Sequence, residues 1–94
     1  MKNSPEIKAF IREHSSLFWY TPEDKKEEIS EDLLVEMVLN YGDMKTIKRL
    51  ISLLGIRKMS EIFFHSINLS PRRKGNYFDT TCNFFTLYFQ RYAS

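Results

Sequence analysis

Residues of the types that most often carry catalysis are few in this chain of 94 residues: Cys82 is its one thiol, and His14 and His65 are its two histidines. None stands near another at a C-x-x-C or H-x-x-x-H spacing, so a structural zinc site lacks ligands. A nucleophilic pair of Cys82 and His65 would exist only if the fold joined them. Cys82 lies on an aromatic face, where a free cysteine ordinarily acts as a small buried hydrophobe. The glycines are isolated, which leaves no phosphate-cradling loop and no dinucleotide fingerprint. Glu27, Glu28, Glu31 and Asp32 could offer oxygens to a divalent cation. They lack the glycine-turned loop of a calcium site, and a solvated helix start is the plainer reading. No catalytic, cofactor-binding or metal-binding residue is expected, and the chain does not read as an enzyme.

Binding chemistry is better represented. Arg72-Arg73-Lys74 is followed by Asn76-Tyr77-Phe78, a mixture of cations and rings that can track a phosphate backbone and stack bases. A protein interface rich in Tyr and Arg has the same composition. With Trp19, these residues (Arg72, Arg73, Lys74, Tyr77 and Phe78) form the expected surface for a partner protein. Phe84, Phe85 and Phe89 are expected in the core, while Tyr77, Tyr88 and Tyr92 suit either place. The alternative is DNA. Leu54-Gly55-Ile56 joins two helices as a helix-turn-helix does, with Arg57 and Lys58 at the start of the second and Lys45, Lys48 and Arg49 on the first. That motif wants a small residue four before the turn glycine and an apolar one six after it, where Ile51 and Glu61 stand. An ordinary helical hairpin fits equally well.

The elements that must position these residues are helices. Ser4-Pro5-Glu6 places a capping hydroxyl, a first-turn proline and an acid at one helix start, and that helix runs to about His14. Leu17-Phe18-Trp19-Tyr20 is too short for a strand and is expected to plug into the core; Thr21 to Asp24 opens an acidic turn or one short helix. Ser30 caps a second helix, stapled by Ile29 and Leu34. Its apolar residues occupy most of the circumference, which makes it the central, most buried helix. Gly42 ends it and Asp43 caps a third, whose stripe is Met44, Ile47, Leu50, Ile51 and Leu54. Gly55 stops that one in the left-handed conformation. A fourth helix runs from about Arg57 to Ile67, a basic loop spans 72–76, and Asp79 or Thr80 caps a last helix to Tyr92. The expected fold is all-α: one domain over residues 1–94, a compact bundle of about five short helices with a helix-turn-helix-like hairpin.

Composition limits the function further. The chain is 43% hydrophobic, 15% aromatic and 28% charged, too apolar for a disordered segment and too short for a large enzyme with its own cofactor fold. No apolar run approaches the roughly 20 residues of a membrane span. The opening residues lack the apolar core of a signal peptide, so a cytoplasmic location is expected. The net charge of +2 conceals a split. Residues 1–42 hold five Lys/Arg against nine Asp/Glu, and residues 43–94 hold nine against three. Either the second half meets an acidic partner or the halves attract each other within the bundle.

Several segments taken in order resemble a known family: Ser16-Leu17-Phe18-Trp19, Val38-Leu39-Asn40-Tyr41-Gly42-Asp43, Ile47-x-x-Leu50, Leu54-Gly55, Leu69-Ser70-Pro71 and Asn83-Phe84-Phe85-x-Leu87-Tyr88-Phe89. The pattern resembles short bacterial proteins of unknown function, often encoded near nucleotidyltransferase-type toxins. Tyr20 stands where that family has an acid, Phe85 where Trp is usual, and residues 72–77 are inserted. The resemblance implies an all-α fold and an antitoxin or accessory role. The combined expectation is a small interaction module that occludes a partner protein, a toxin if the resemblance holds. Helix-turn-helix-like DNA binding is the alternative, and homodimerisation through the last helix a further expectation.

Overall fold

The helix boundaries follow local capping chemistry. In the computed structural model, which describes residues 3–93, helix α1 (Pro5–Glu13) begins where Ser4 Oγ accepts from the Ile7 amide at 3.2 Å. Helix α2 (Glu31–Tyr41) starts in the same way, with Ser30 Oγ accepting from Leu33 N at 3.2 Å. Helix α3 (Met44–Leu54) starts with Asp43 Oδ1 on Thr46 N at 2.8 Å. Gly42 separates α2 from α3 with an extended backbone (φ −81°, ψ 155°), and a Cβ there would meet the Val38 carbonyl oxygen at 2.7 Å. Helix α4 (Ile56–Leu69) follows after a single residue, Gly55. Its φ of 89° is positive as expected, but ψ is 139°, so the hinge is extended rather than left-handed helical. Its amide ends α3 on Ile51 O and its carbonyl opens α4 from Met59 N.

Two connections differ from the expected loops. The segment after α1 makes a 3₁₀ turn at Ser15–Phe18 and a second at Glu23–Glu28. Phe18 is fully buried, but Trp19 and Tyr20 point outward, so the four-residue apolar patch enters the core through half its members. The basic segment is not a loop. Pro71–Lys74 forms one helical turn, α5, capped by Ser70 Oγ on Arg73 N at 3.1 Å. The last helix, α6 (Asp79–Tyr92), has Phe78 at its N-cap and no side-chain cap, in place of the expected Asp79 or Thr80.

One core runs through all the long helices, led by Phe10, Phe18, Leu34, Val38, Leu50, Met59, Phe63 and Phe89. Helix α2 is the most buried, with every residue from Leu34 to Leu39 inside. Helix α4 is the hub and packs against α2, α3, α5 and α6. The radius of gyration, 12.6 Å, is that of a close-packed chain, about 13 Å for 100 residues. The described residues are mostly helical and include no strand, and none of their helices is long and apolar enough to cross a membrane.

The charge halves meet. Arg49 pairs with Glu13 at 3.9 Å, Lys58 with Glu31 at 2.9 Å and Arg73 with Asp32 at 3.6 Å, each joining the basic half to the acidic one. Such exposed pairs stabilise by about 0–1 kcal/mol each, but they spread the acids of the α2 start among separate cations. Lys26, in the second 3₁₀ turn, is buried and donates from Nζ to the Ser15 carbonyl at 2.9 Å and to Glu23 at 2.8 Å.

Candidate functional site

Helix α2 presents Leu33, Glu36, Met37 and Tyr41, spaced to share a face, to a groove of about 630 Å³. Trp19, Tyr20 and Ser30 complete its lining from one side and Arg73 and Asn76 from the other. The first wall exists because a 3₁₀ turn that buries Phe18 must direct the next two side chains elsewhere. Trp19 and Tyr20 then brace each other edge to face, centroids 5.4 Å apart. The second wall is held by Asn40. Its Nδ2 donates to the Asn76 carbonyl at 3.0 Å, and its Oδ1 accepts from the Phe78 amide at 3.2 Å. That clamp fixes the link between α5 and α6 and seats Phe78 edge-on against Tyr41, 5.4 Å between centroids.

The floor carries a charge. Glu36 is only 8% exposed. Burial pushes its carboxyl above the usual carboxylate range; a hydrogen bond from Asn76 and the nearby Arg73 act the other way, and Asp32 adds to the rise. Among the described residues no Lys or Arg comes within ion-pair distance of Glu36, and Arg73 is the partner of Asp32. The Tyr20 hydroxyl is also raised, first by partial burial, then by Glu36 and Tyr41, which places those three groups in one electrostatic neighbourhood.

The expected partner-binding residues divide accordingly. Trp19, 67% exposed, and Arg73 share the groove, and Phe78 stands behind Tyr41. Arg72 and Lys74 are exposed on α5 outside its lining. Tyr77 is a correction: it is 3% exposed and packs against Phe63, so it belongs to the core and cannot touch a partner. Phe84 is the opposite correction, a half-exposed ring where a core position was expected. With Leu87, Tyr88, Arg91 and Tyr92 it forms an open strip along the outer face of α6. Tyr20, Glu36 and Tyr41 were absent from the expectation. The available signal was Glu36 itself, the sole charge between Leu33 and Tyr41 in an otherwise apolar helix.

The basic residues proposed for DNA fall in separate places. Lys45, Lys48 and Arg49 line one depression with Glu13, His14 and Thr46, whereas Lys58 lines another with Glu31, and Arg57 is exposed beside neither. Cys82 is buried and free, and His65 is exposed. The His14 ring is held by the Phe10 carbonyl at 2.9 Å. Among the described residues no group of three or more His, Cys, Asp or Glu could hold a metal ion. Compared with known proteins, the chain matches no family model, no curated protein and no solved structure.

Proposed function

We propose that this chain is a small protein-interaction module that binds a segment of a partner protein in the groove on α2. The observation that supports this most is the concentration of exposed rings there: Trp19, Tyr20 and Tyr41 surround one concavity, with Phe78 bracing Tyr41 from behind. Rigid aromatic anchors around a recess that already holds polar groups are the usual centre of a protein interface. Binding works by occlusion: whatever surface the segment belongs to is covered while it is held. A toxin neutralised in this way is the partner that the family resemblance implies.

Selection of a random twelve-residue peptide library on the immobilised protein tests the reading. Enriched peptides are expected, and their binding is expected to disappear with Trp19→Ser or Tyr41→Ser, neither of which opens the core. Enrichment that survives both substitutions, or none at all, would overturn it.

A second reading, DNA binding through α3, draws on the depression that groups Lys45, Lys48 and Arg49 on one exposed helix face. It requires binding to generic duplex at low salt that falls steeply as salt is added. A duplex that stays free at low salt ends it.

A further inference from the structure

The groove has a feature that a purely apolar recognition site would not keep. Glu36 stands in the most buried helix of the molecule, among Leu34, Val35, Met37, Val38 and Leu39. Taking a carboxylate out of water is unfavourable unless a counter-charge accompanies it. The obvious candidate, Arg73, is engaged with Asp32 at 3.6 Å, and no other described cation reaches Glu36. Asn76 supplies a neutral hydrogen bond only. Glu36 is not sealed in: it keeps 8% of its surface exposed and lines the groove together with Trp19, Tyr20 and Tyr41. A negative charge at the base of a recess walled by aromatic rings has one chemical complement. Ring faces attract cations, and a desolvated carboxylate does so more strongly.

We propose that the groove receives a cationic side chain, arginine in preference to lysine, projecting from the bound segment, with its charge on Glu36 and its stem against Trp19, Tyr20 and Tyr41. This rests on the reading of the chain as an interaction module and adds the chemistry of what it binds. Arginine is preferred because a flat, weakly hydrated guanidinium can stack on a ring while donating to a carboxylate, whereas a compact ammonium holds its water more tightly. Arg73 lines the same groove and acts on Glu36, but it stands beyond ion-pair distance and is paired with Asp32, so it offsets the Glu36 charge only in part. The acid end of the groove therefore keeps its net negative charge.

Trp19 is the only tryptophan, so fluorescence excited at the red edge, where tyrosine does not absorb, reports on the groove. The test titrates the intact chain with Nα-acetyl-arginine amide, Nα-acetyl-lysine amide and Nα-acetyl-citrulline amide, the last being the uncharged isostere of the first. A saturable response is expected for arginine, weaker for lysine, and about fivefold or more weaker for citrulline, the scale of one cation–π or charge contact. Glu36→Gln, with its helical circular dichroism unchanged, is expected to bring arginine down to the citrulline level and leave citrulline where it was. Equal responses to arginine and citrulline in the unmodified protein, or no saturable response to any amide, would overturn the proposal; that comparison stands even where the variant does not fold. Library peptides that depend on Trp19 but bind equally well with citrulline in place of arginine would sink the cation and leave the interaction module standing. The absence of any peptide that depends on Trp19 or Tyr41 would remove both.

Discussion

The groove on α2 and the outer face of α6 are both lined by exposed rings, and they differ in what lies beneath. On α6 the side chains serve one another. Phe84 stacks on Tyr88 at 5.9 Å, Tyr88 meets Tyr92 at 4.9 Å, and the Arg91 guanidinium lies 5.5 Å from the Tyr92 ring. Phe84, Tyr88 and Tyr92 form a ridge of helical i, i+4 neighbours, with Leu87 68% exposed beside them and Arg91 at its border. In the groove the rings come from two separate chain segments, Trp19 and Tyr20 from one and Tyr41 from α2, and the lining includes a carboxylate and a carboxamide. An apolar ridge offers area without direction; specific recognition needs a few polar groups at fixed places within the apolar surface. The α6 ridge therefore suits self-association, and the groove suits a chosen partner.

The largest expected effect separates the two faces of α6 itself. Phe89→Ala removes a ring that is fully buried and packed on Phe63, and should cost about 3–5 kcal/mol in denaturant unfolding. Leu87→Ala on the outer face should stay within about 0.5 kcal/mol. A large loss at Leu87 would mean that the ridge is already covered in the folded state, by a second copy. Light scattering checks the same point. Any rise of mass with concentration should vanish with Leu87→Lys and persist with Trp19→Ser.

Next in size is the clamp that builds the groove. Asn40→Ala loses two hydrogen bonds to the α5–α6 link, both partly open to water, so the expected loss is about 1–2 kcal/mol. Hydrogen exchange at the Phe78 amide should accelerate while the outer face of α6 is unaffected. Unchanged exchange at Phe78 would show that the second wall stands without Asn40.

How much of this was readable in the amino-acid sequence depended on whether the cause was local. Ser4, Ser30 and Asp43 cap helices because their side chains reach amides three residues on, and Gly55 ends one because of its own φ; each is visible within a few residues. The burial of α2 followed from its nearly continuous apolar circumference. The outward turn of Trp19 and Tyr20 was not visible, because it depends on a 3₁₀ turn that the packing of Phe18 selects. Neither was the burial of Lys26, whose ammonium is accommodated by a carbonyl, that of Ser15, eleven residues away. Tyr77 read as an interface residue because Arg72, Arg73 and Lys74 precede it; the Asn40 clamp and Phe63 draw it inward instead. Trp19, Glu36 and Arg73 meet only once α2 and α5 have both packed against α4, and no spacing in the chain encodes that.

Tyr77 and Ser66 supply a smaller effect of opposite sign. Each has a buried hydroxyl with no hydrogen-bond partner among the described residues. Tyr77→Phe keeps the ring against Phe63 and should raise stability by up to about 1 kcal/mol, with Ser66→Ala similar or smaller. Burial also holds the Tyr77 hydroxyl well above its ordinary value of 10.0, with Glu36 and Asp32 adding to the rise. Above pH 10 the unfolded chain therefore loses a proton that the folded chain keeps, and stability falls as pH rises. Tyr77→Phe should flatten that decline. A variant less stable than the parent would show that the hydroxyl is bonded in solution, to a trapped water.

The smallest expected change in stability belongs to Glu36, and it distinguishes the two aromatic surfaces most directly. Its folded pKa lies above the ordinary value of 4.5, with burial as the main cause. Facing it are Asp32 on its own helix, Arg73 from α5, Tyr20 beyond the first 3₁₀ turn and Tyr77 from the link before α6. Between 4.5 and the raised value the folded chain binds the extra proton and the unfolded chain does not. Stability therefore increases as pH falls through that window and is level below it. Asp43 runs the other way. Its hydrogen bond from the Thr46 amide lowers its pKa below 3.8, so its contribution is lost only at more acidic pH and leaves the Glu36 window clear. Binding has the opposite sign: protonating Glu36 removes the charge that a guanidinium would meet, so affinity for arginine amide falls over the window in which the fold gains stability. Glu36→Gln should abolish both slopes together, leaving any concentration-dependent rise of mass through α6 untouched at every pH. Opposed slopes that vanish with one substitution can come only from a single carboxylate that is disfavoured in the fold and required by the ligand; parallel slopes would mean that Glu36 serves the fold alone.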